Sequence, residues 1–410
     1  MSRLPGSPNH PPVRTGLEVL LSERLDLLRG RRIGLCCNPT TVLPDLSHAV
    51  DVLHAQPQIE LCRLFGPEHG IRGTAQYMVA VGEDRDPASG LPVVSLYGND
   101  EASLRPSPEQ LDGLDVLVFD IQDIGSRYYT YVYTLAYCLE ACAEAGVQVI
   151  VCDRPNPIRG DRREGNRVDM DHFRSFVGRY PMPNRHGLTS GELARWFQAR
   201  MGLAGDPDPL VVVPCQGWRR DLWFDQTGLP WVMPSPNMPT PDTALVYPGQ
   251  CLLEGTNVSE GRGTTRPFEL CGAPWVSPPR LRREMQRLSD AWGIEGVAFR
   301  ECALQPSFDK FTGEFCGGLQ LHVTDRDRFR PLATGVTLLL ALKRLYADDF
   351  DWRRAPYEFI SDRLAIDLLS GDTSIRSLVD GGGALPDIEA DWREAEQDFS
   401  EQLAPYLLYR

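Results

Sequence analysis

Short apolar runs alternate with amphipathic stretches along the first half of the chain. The runs end abruptly at acids, glycine, asparagine or arginine, and an uninterrupted run of this kind is typical of a strand buried in a parallel sheet. The stretches between the runs repeat apolar residues at helical spacing, so the pattern predicts alternating strands and helices. The predicted strands of this half are Ile33–Cys37, Ile59–Phe65, Val93–Leu96, Val116–Phe119, Val147–Cys152 and Leu210–Val213.

Capping residues mark where several of the helices begin and end. Thr15 with Glu18, and Thr189 with Glu192, have the spacing of a capping box. Glycine is favoured just after a helix, and Gly146 follows a helical pattern in this way. The predicted helices of the first half are one with its apolar stripe from Leu17 to Leu28, then Leu46–Leu53, Tyr131–Ala145 and Thr189–Met201.

A proline-rich segment, 234–241, interrupts the alternation. Proline is excluded from helix interiors and central strands, so we interpret this segment as a linker between two domains. The chain beyond it mixes the two kinds of element. Here the pattern predicts helices Pro279–Trp292, Pro331–Tyr346 and Asp391–Leu407, and strands Val297–Cys302 and Leu319–Val323. The resulting divisions are a disordered tail over 1–15, an α/β domain over 16–238 and a C-terminal domain over 239–410.

Composition narrows the possible partners and the compartment. The net charge of −14 argues against nucleic acid and anionic membranes as partners. No apolar stretch is long enough to span a bilayer, and residues 1–14 lack the apolar segment of a signal peptide. The eleven cysteines include no C-x-x-C and are expected to be buried, reduced thiols. These features predict a cytoplasmic protein, and they give no oligomeric state.

Several cofactor signatures are missing. The first predicted strand ends at Asn38-Pro39 without the G-x-G-x-x-G of a dinucleotide-binding protein, which weighs against NAD and FAD. The Gly-rich run at 261–263 lacks the Lys-Ser/Thr of a P-loop. Neither a G-x-S-x-G elbow nor an H-E-x-x-H motif occurs. We therefore expect no cofactor.

Acidic residues follow two of the predicted strands. Glu68 lies in the loop after the second strand, and Asp120 and Asp123 lie at the end of the fourth. Ligands of open α/β sheets bind at the carboxyl ends of the strands. A carboxyl group there is a candidate general acid, and two carboxyl groups from different loops suit glycoside hydrolysis. Asp120 and Asp123 with Asp153 also suit a divalent cation, although the spacing of a D-x-D cation loop is absent, so we predict no metal.

Arginines and tyrosines accompany these acids. Guanidinium groups in loops at the sheet edge suit bidentate capture of a carboxylate or phosphate. Aromatic rings near the same loops suit stacking on a sugar. The candidates are Arg72, Arg127, Arg154 and Arg262 for the anion, and Tyr129 and Tyr131 for the sugar.

The motifs, taken together and in order, resemble those of the exo-β-N-acetylmuramidase family. They are Pro67-Glu68-His69-Gly70, Asp120-Ile121-Gln122-Asp123-Ile124-Gly125 with Arg127 and Tyr129-Thr130-Tyr131, Asp153-Arg154-Pro155-Asn156-Pro157, His186-Gly187-Leu188-Thr189, Pro234-Ser235-Pro236-Asn237-Met238-Pro239, and Glu254-Gly255-Thr256 with Gly261-Arg262-Gly263-Thr264.

The resemblance implies a fold and an activity. The fold is an α/β class, with a Rossmann-like parallel-sheet domain followed by a smaller α+β domain that contributes loops to the site. The activity is removal of terminal β-linked N-acetylmuramic acid from the non-reducing end of peptidoglycan fragments. Glu68 maps to the catalytic acid, and we choose Asp123 as the second group, with a tyrosine or the substrate's 2-acetamido group as alternatives.

The same motifs, with the loops that carry them, give the expected substrate-binding residues. They are Arg72, Asp120, Arg127, Tyr129, Tyr131, Asp153, Arg154, Asn156, His186, Asn237, Glu254, Asn257 and Arg262. The expected partner is a small molecule, a saccharide or muropeptide ending in N-acetylmuramic acid. Its source, given the cytoplasmic prediction, is imported fragments. Two other functions stay open: a non-catalytic sugar-binding protein, and a metal-dependent hydrolase using Asp120, Asp123 and Asp153.

Overall fold

The structure is a computed structural model that describes residues 12–71, 84–98 and 100–410. Within these residues, the larger sheet has seven strands in the order β3-β4-β2-β1-β5-β6-β7. Each pair is parallel except β3 with β4 at one edge. The six parallel strands have the order of a Rossmann fold. The strands are β1 (Arg32–Cys37), β2 (Glu60–Gly66), β3 (Asp84–Arg85), β4 (Pro92–Ser95), β5 (Val116–Asp120), β6 (Gln148–Cys152) and β7 (Leu210–Val213).

Helices cover both faces of this sheet. Alternate residues of a strand point to opposite faces, and Leu35 and Val118 pack on the face covered by the first two helices, whereas Phe65 and Phe119 pack on the other. One helix precedes the first strand, and the others lie between strands along the chain. They are α1 (Gly16–Glu23), α2 (Ala49–His54), α3 (Pro108–Leu111), α4 (Tyr131–Ala145) and α5 (Ser190–Met201).

The predicted capping box forms completely at α5 but only in part at α1. Thr189 and Glu192 form the full reciprocal capping box at the start of α5. Thr15 accepts a hydrogen bond from the Glu18 N–H at the start of α1. Val13, at the end of the predicted tail, is buried, and its N–H donates to the Thr227 carbonyl at 2.9 Å.

A smaller antiparallel sheet follows, in the order β8-β10-β9. Its strands are β8 (Leu270–Ala273), β9 (Val297–Leu304) and β10 (Cys316–Val323). The helices of this half are α6 (Pro241–Gln250), α7 (Pro278–Trp292), α8 (Pro331–Leu345), α9 (Ala365–Ser370), α10 (Ser374–Asp380) and α11 (Pro386–Leu403). The fold class predicted from the sequence is therefore confirmed.

Helix α6 begins inside the segment that the sequence assigned to a linker. Thr240 caps the helix and Pro241 occupies its first turn. Proline is tolerated there because the N–H that it lacks would have no partner within the helix. The linker prediction was therefore wrong at this end, although residues 234–240 are irregular. Helices α6 and α8 cross closely at Gly249, where an added Cβ would lie 1.9 Å from the Pro331 carbonyl oxygen. A 3-10 turn, Cys251–Gly255, follows α6 directly.

In the described ranges, no helix combines the length and the apolar character needed to cross a bilayer.

Candidate active site

A cleft opens at the carboxyl ends of β2 and β5 and is closed on its other side by loops of the C-terminal half. Its volume is about 520 Å³, counted to where it opens to solvent. Segments that are far apart in the sequence therefore meet here. The lining residues are Glu68, His69, Tyr128, Tyr129, Thr130, Tyr131, Val177, Ser235, Asn237, Met238, Tyr247, Glu254, Arg262, Phe268, Tyr357 and Glu358.

Glu68 reaches the cleft because the chain turns sharply after β2. The Gly70 N–H donates to the Pro67 carbonyl at 2.9 Å, and His69 and Gly70 both have positive φ, 72° and 75°. A positive φ is costly for a residue other than glycine, so the His69 conformation is held by its surroundings. The Glu68 side chain is 11% exposed and lies 4.0 Å from the His69 Nε2. The sequence prediction that Glu68 lies at the sheet edge agrees with this geometry.

Tyrosines form one wall of the cleft. The rings of Tyr129 and Tyr131 meet edge to face with centroids 4.9 Å apart, and Tyr129 contacts Tyr247 in the same way at 5.8 Å. The Tyr131 hydroxyl donates to the Pro234 carbonyl at 2.7 Å. That bond anchors the irregular segment that brings Asn237 to the cleft. Asn237, Tyr129 and Tyr131 are thus gathered as the sequence led us to expect.

A charged network forms the opposite wall. The Arg262 Nη2 lies 2.5 Å from the Glu254 Oε1, and its Nε lies 3.3 Å from the Glu260 Oε1. The Tyr357 hydroxyl donates to the second Glu254 oxygen at 2.7 Å. Lys310 approaches Glu260 at 2.9 Å. Burial opposes ionisation of Glu260, but Lys310 and Arg262 outweigh it and lower its pKa. Glu254 and Arg262 lie in the cleft as predicted, and Arg262 is already held by two glutamates.

Glu358 is a carboxyl group in the cleft that the sequence prediction did not include. It is 4% exposed, and its Oε2 accepts a long hydrogen bond of 3.4 Å from the Tyr97 hydroxyl. Burial, followed by the charges of Glu68 and Glu254, raises the pKa of Glu358 well above its ordinary value. No motif surrounds Glu358 in the sequence, and only the fold brings it to Glu68.

Asp123, our choice for the second catalytic group, does not line the cleft. It is buried, and its Oδ2 accepts a hydrogen bond from the Gly125 N–H at 2.7 Å. The same oxygen lies 3.2 Å from the Nε2 of His186, which is also fully buried. The geometry therefore gives Asp123 and His186 a part in shaping the loop after β5, in place of the substrate contacts that we expected.

Asp120 and Arg154 are also turned inward. The Arg154 Nε and Nη2 lie 2.6 and 2.7 Å from the two Asp120 oxygens, and both residues are buried. Such a bidentate pair leaves neither group available for a ligand in the cleft. The expectation that they bind substrate is therefore not supported by their positions.

Asp153 and Asn156 belong to the same buried layer. Asp153 accepts hydrogen bonds from the Thr189 hydroxyl at 2.7 Å and the Tyr409 hydroxyl at 2.6 Å. Burial raises the pKa of Asp153 to about 6. The Asn156 Nδ2 donates to the Leu188 carbonyl at 2.9 Å. These contacts hold loops together beneath the cleft.

Two further candidates lie outside the cleft, and a third is not described. Arg127 is completely buried, donates to four backbone carbonyls and does not line the cleft. Asn257 exchanges hydrogen bonds with the backbone of Asp349 and Asp351 and does not line the cleft. Arg72 lies outside the described residues.

The described residues offer no group of three or more histidine, cysteine, aspartate or glutamate side chains placed to hold a metal ion. Asp120 and Asp153, which the metal hypothesis required together with Asp123, instead receive hydrogen bonds from arginine, hydroxyl and backbone donors. Their chemistry is that of a buried structural network.

Fold and site together define a Rossmann-like α/β protein whose cleft gathers carboxyl groups and tyrosines, an arrangement suited to saccharide hydrolysis. Comparison with known proteins makes this specific. The family models described as exo-β-N-acetylmuramidase NamZ, N-terminal and C-terminal, match residues 33–242 and 245–409. The chain therefore belongs to the exo-β-N-acetylmuramidase NamZ family, which confirms the resemblance read from the motifs.

Individual relatives support the assignment. The chain is 43% identical over 399 residues to the peptidoglycan β-N-acetylmuramidase NamZ of Bacillus subtilis (strain 168), a match that covers 97% of this chain and 92% of the relative. Two crystal structures of DUF1343 family proteins from Bacteroides fragilis are similar in fold. One has 36% identity and a TM-score of 0.85, covering 97% of this chain and 99% of that chain. The other has 29% identity and a TM-score of 0.71, covering 98% and 99%.

Proposed function

We propose that this protein is an exo-acting glycoside hydrolase that releases terminal β-linked N-acetylmuramic acid from the non-reducing end of peptidoglycan fragments, with Glu68 as the general acid. Membership of the exo-β-N-acetylmuramidase NamZ family supports the reaction and the substrate class. The observation that carries the role of Glu68 is its place in a cleft beside tyrosines, at the carboxyl ends of the parallel strands.

The reaction needs a proton at the departing oxygen. As the bond between the anomeric carbon and the glycosidic oxygen breaks, its electron pair stays on that oxygen, and Glu68 supplies the proton that makes it a neutral hydroxyl. Water supplies the new hydroxyl at the anomeric carbon and returns a proton to the carboxylate. A carboxyl group that is only 11% exposed suits this task because competing proton donation from solvent is restricted.

The cleft also suits the sugar itself. Tyr129 and Tyr131 offer ring surface for the apolar face of a pyranose. N-acetylmuramic acid carries a lactyl carboxylate, and Arg262 lies in the same cleft. Because two glutamates hold its guanidinium, we propose that Arg262 acts mainly by its charge and by ordering Glu254.

Replacement of Glu68 by glutamine tests the proposal. The substitution keeps the shape of the side chain but removes the acidic proton, and we expect kcat on an N-acetylmuramyl disaccharide to fall about 10²–10⁴-fold. A nitrophenyl leaving group needs less help from a proton donor. We therefore expect Glu68→Gln to lose clearly less kcat on a chromogenic nitrophenyl N-acetylmuramide than on the disaccharide.

Glu60→Gln is the matched control, because Glu60 is exposed at the opposite end of the same strand, β2. It is expected to keep wild-type kcat. Equal losses with both leaving groups in Glu68→Gln, or only a few-fold loss on the disaccharide, contradict the assignment. Binding of the sugar by the wild type without any release of product contradicts the proposed activity itself.

Action in the cytoplasm on imported fragments remains part of this proposal. It is supported by the buried free thiols of Cys138 and Cys142 in the core of the first half.

A further inference from the structure

Glu358 lies at the tip of a two-residue hairpin whose backbone is unusual. The N–H groups of Tyr357 and Ile360 each donate to the other residue's carbonyl at 2.9 Å. The two residues between them, Glu358 and Phe359, both have positive φ, 45° and 68°. Hairpins of this shape favour asparagine and glycine, because other residues are strained there. The presence of glutamate and phenylalanine at these two positions indicates a role for their side chains.

The hairpin delivers the Glu358 carboxyl group into the cleft that holds Glu68. The titratable and charged groups that face it come from four elements: Tyr97 after β4, Glu68 after β2, Glu254 in the turn after α6, and Arg262 in the loop before β8. Phe359 packs against Tyr97 with ring centroids 6.1 Å apart, which closes this side to water.

The positive charges near Glu358 do not neutralise a carboxylate at this position. Among the described residues, Arg262 lies against Glu254 and Glu260, and Lys310 against Glu260, so other carboxylates share these two cations. His69 lies 4.0 Å from Glu68, on the other member of the pair. Two carboxyl groups that share a buried site resist simultaneous ionisation, because each charge repels the other in a medium of low dielectric constant. Such a pair holds one proton over a wide range of pH.

We propose that Glu358, in place of Asp123, is the carboxyl partner of Glu68, and that the two groups hold a single proton across the neutral range. The inference rests on the proposed function, since that proton is the one delivered to the glycosidic oxygen. Glu358 acts through Glu68 and is a positioning residue: its charge keeps the proton on the pair until the glycosidic bond breaks. The pair is then left as two carboxylates beside the positive charge at the anomeric carbon, and the attacking water restores the proton.

The pH profile of kcat/KM tests this, because it reports the acid of the free enzyme. In Glu358→Gln the neighbour can no longer carry a negative charge, so the proton that the pair shares in the wild type is released at lower pH. We expect the alkaline limb of the profile to move down by at least about one pH unit, which is about a tenfold loss of relative activity on that limb. A purely structural role would lower activity evenly at every pH, and an unmoved alkaline limb overturns the proposal.

Glu396→Gln is the matched control. Glu396 is a partly buried glutamate whose pKa is raised by burial to about 7, and it lines a different cavity. Its replacement is expected to leave the pH profile of kcat/KM in place. A moved limb in this variant would show that the profile does not report the cleft, and would overturn the inference drawn from it.

A measurement that needs no turnover separates this inference from the proposed function. Infrared difference titration of the free protein detects protonated carboxyl groups. The titration is made in a Glu396→Gln background, which removes the signal of Glu396 from the neutral range. We expect a protonated carboxyl that disappears in Glu358→Gln and that titrates at lower pH in Glu68→Gln, where the neighbouring charge is gone.

The outcomes are distinct. A pair signal in a protein that cleaves no muramide refutes the proposed function and leaves the pair standing. Cleavage with neither a pair signal nor a shifted limb refutes the role of Glu358 and leaves the function standing. If Glu358→Gln does not fold, the Glu68→Gln titration decides, because an unchanged titration of the remaining carboxyl overturns the pair.

Discussion

Arg127 gives the sharpest test of whether a residue in a functional motif binds substrate or holds the fold together. Its guanidinium is completely buried and donates to the carbonyls of Asn166, Met182 and Leu369 at 2.8 Å each, and of Ser370 at 2.7 Å. Burial lowers the pKa of Arg127. The four bonds join loops of the first half to the end of α9, so the side chain ties the two halves of the molecule together.

Arg127→Met removes the four donors and the charge while keeping an apolar side chain of similar length. A hydrogen bond from a charged group contributes about 1.5–3 kcal/mol, and burial of the unpaired guanidinium charge offsets part of the sum. We therefore expect the free energy of unfolding to fall by about 3–5 kcal/mol. Arg127→Lys keeps the charge but cannot reach all four carbonyls, so its loss is expected to be intermediate.

The assay is urea unfolding of wild type and both variants, together with KM at a temperature where all three are folded. A lower urea midpoint with an unchanged slope reports lost stability. KM is expected to stay within about twofold, because Arg127 does not line the cleft. An unchanged midpoint with a tenfold rise in KM would refute this reasoning and restore the substrate-binding role.

Two further predictions concern the buried layer beneath the cleft. Asp120→Asn breaks the bidentate pair with Arg154, and we expect the free energy of unfolding in urea to fall by about 3–5 kcal/mol. The pH profile of activity of the folded enzyme is expected to stay unchanged. An unchanged urea midpoint would contradict the prediction. Asp153 has a folded pKa of about 6, above the unfolded value of about 4, so the folded protein binds this proton more tightly. Its contribution of about 3 kcal/mol is therefore present below about pH 4 and lost as the pH rises through 6. Asp153→Asn is expected to flatten that part of the stability profile, and a profile identical to wild type would refute the assignment.

The sequence predicted the parallel sheet well because buried parallel strands are continuous apolar runs. Strand β7 and helix α4 have the predicted bounds, and β5 is one residue longer than predicted. Helix α6 was missed for a physical reason: it begins at Pro241 and contains Pro248, and its position depends on the close crossing with α8 at Gly249. Tertiary packing of that kind leaves no local pattern.

The site was predicted less completely, because a place at a sheet edge does not tell where a side chain points. Glu68, Tyr129 and Tyr131 face the cleft, whereas Arg154 turns to Asp120 beneath it. A rim arginine that binds a ligand and one that pairs with a buried carboxylate have the same sequence neighbourhood. The difference is made by the partner, which here lies 34 residues away.

The proposed acid of the cleft takes one carboxyl group from each half of the chain. Glu254 and Glu260 are matched by Arg262 and Lys310 in the described residues, and these cations lower the pKa of Glu260 against the effect of burial. Glu358, from the strained hairpin, lines the same cleft as Glu68 and is the second carboxyl group of the proposed pair. The acid of this cleft is then a property of two segments nearly three hundred residues apart, which no single motif contains.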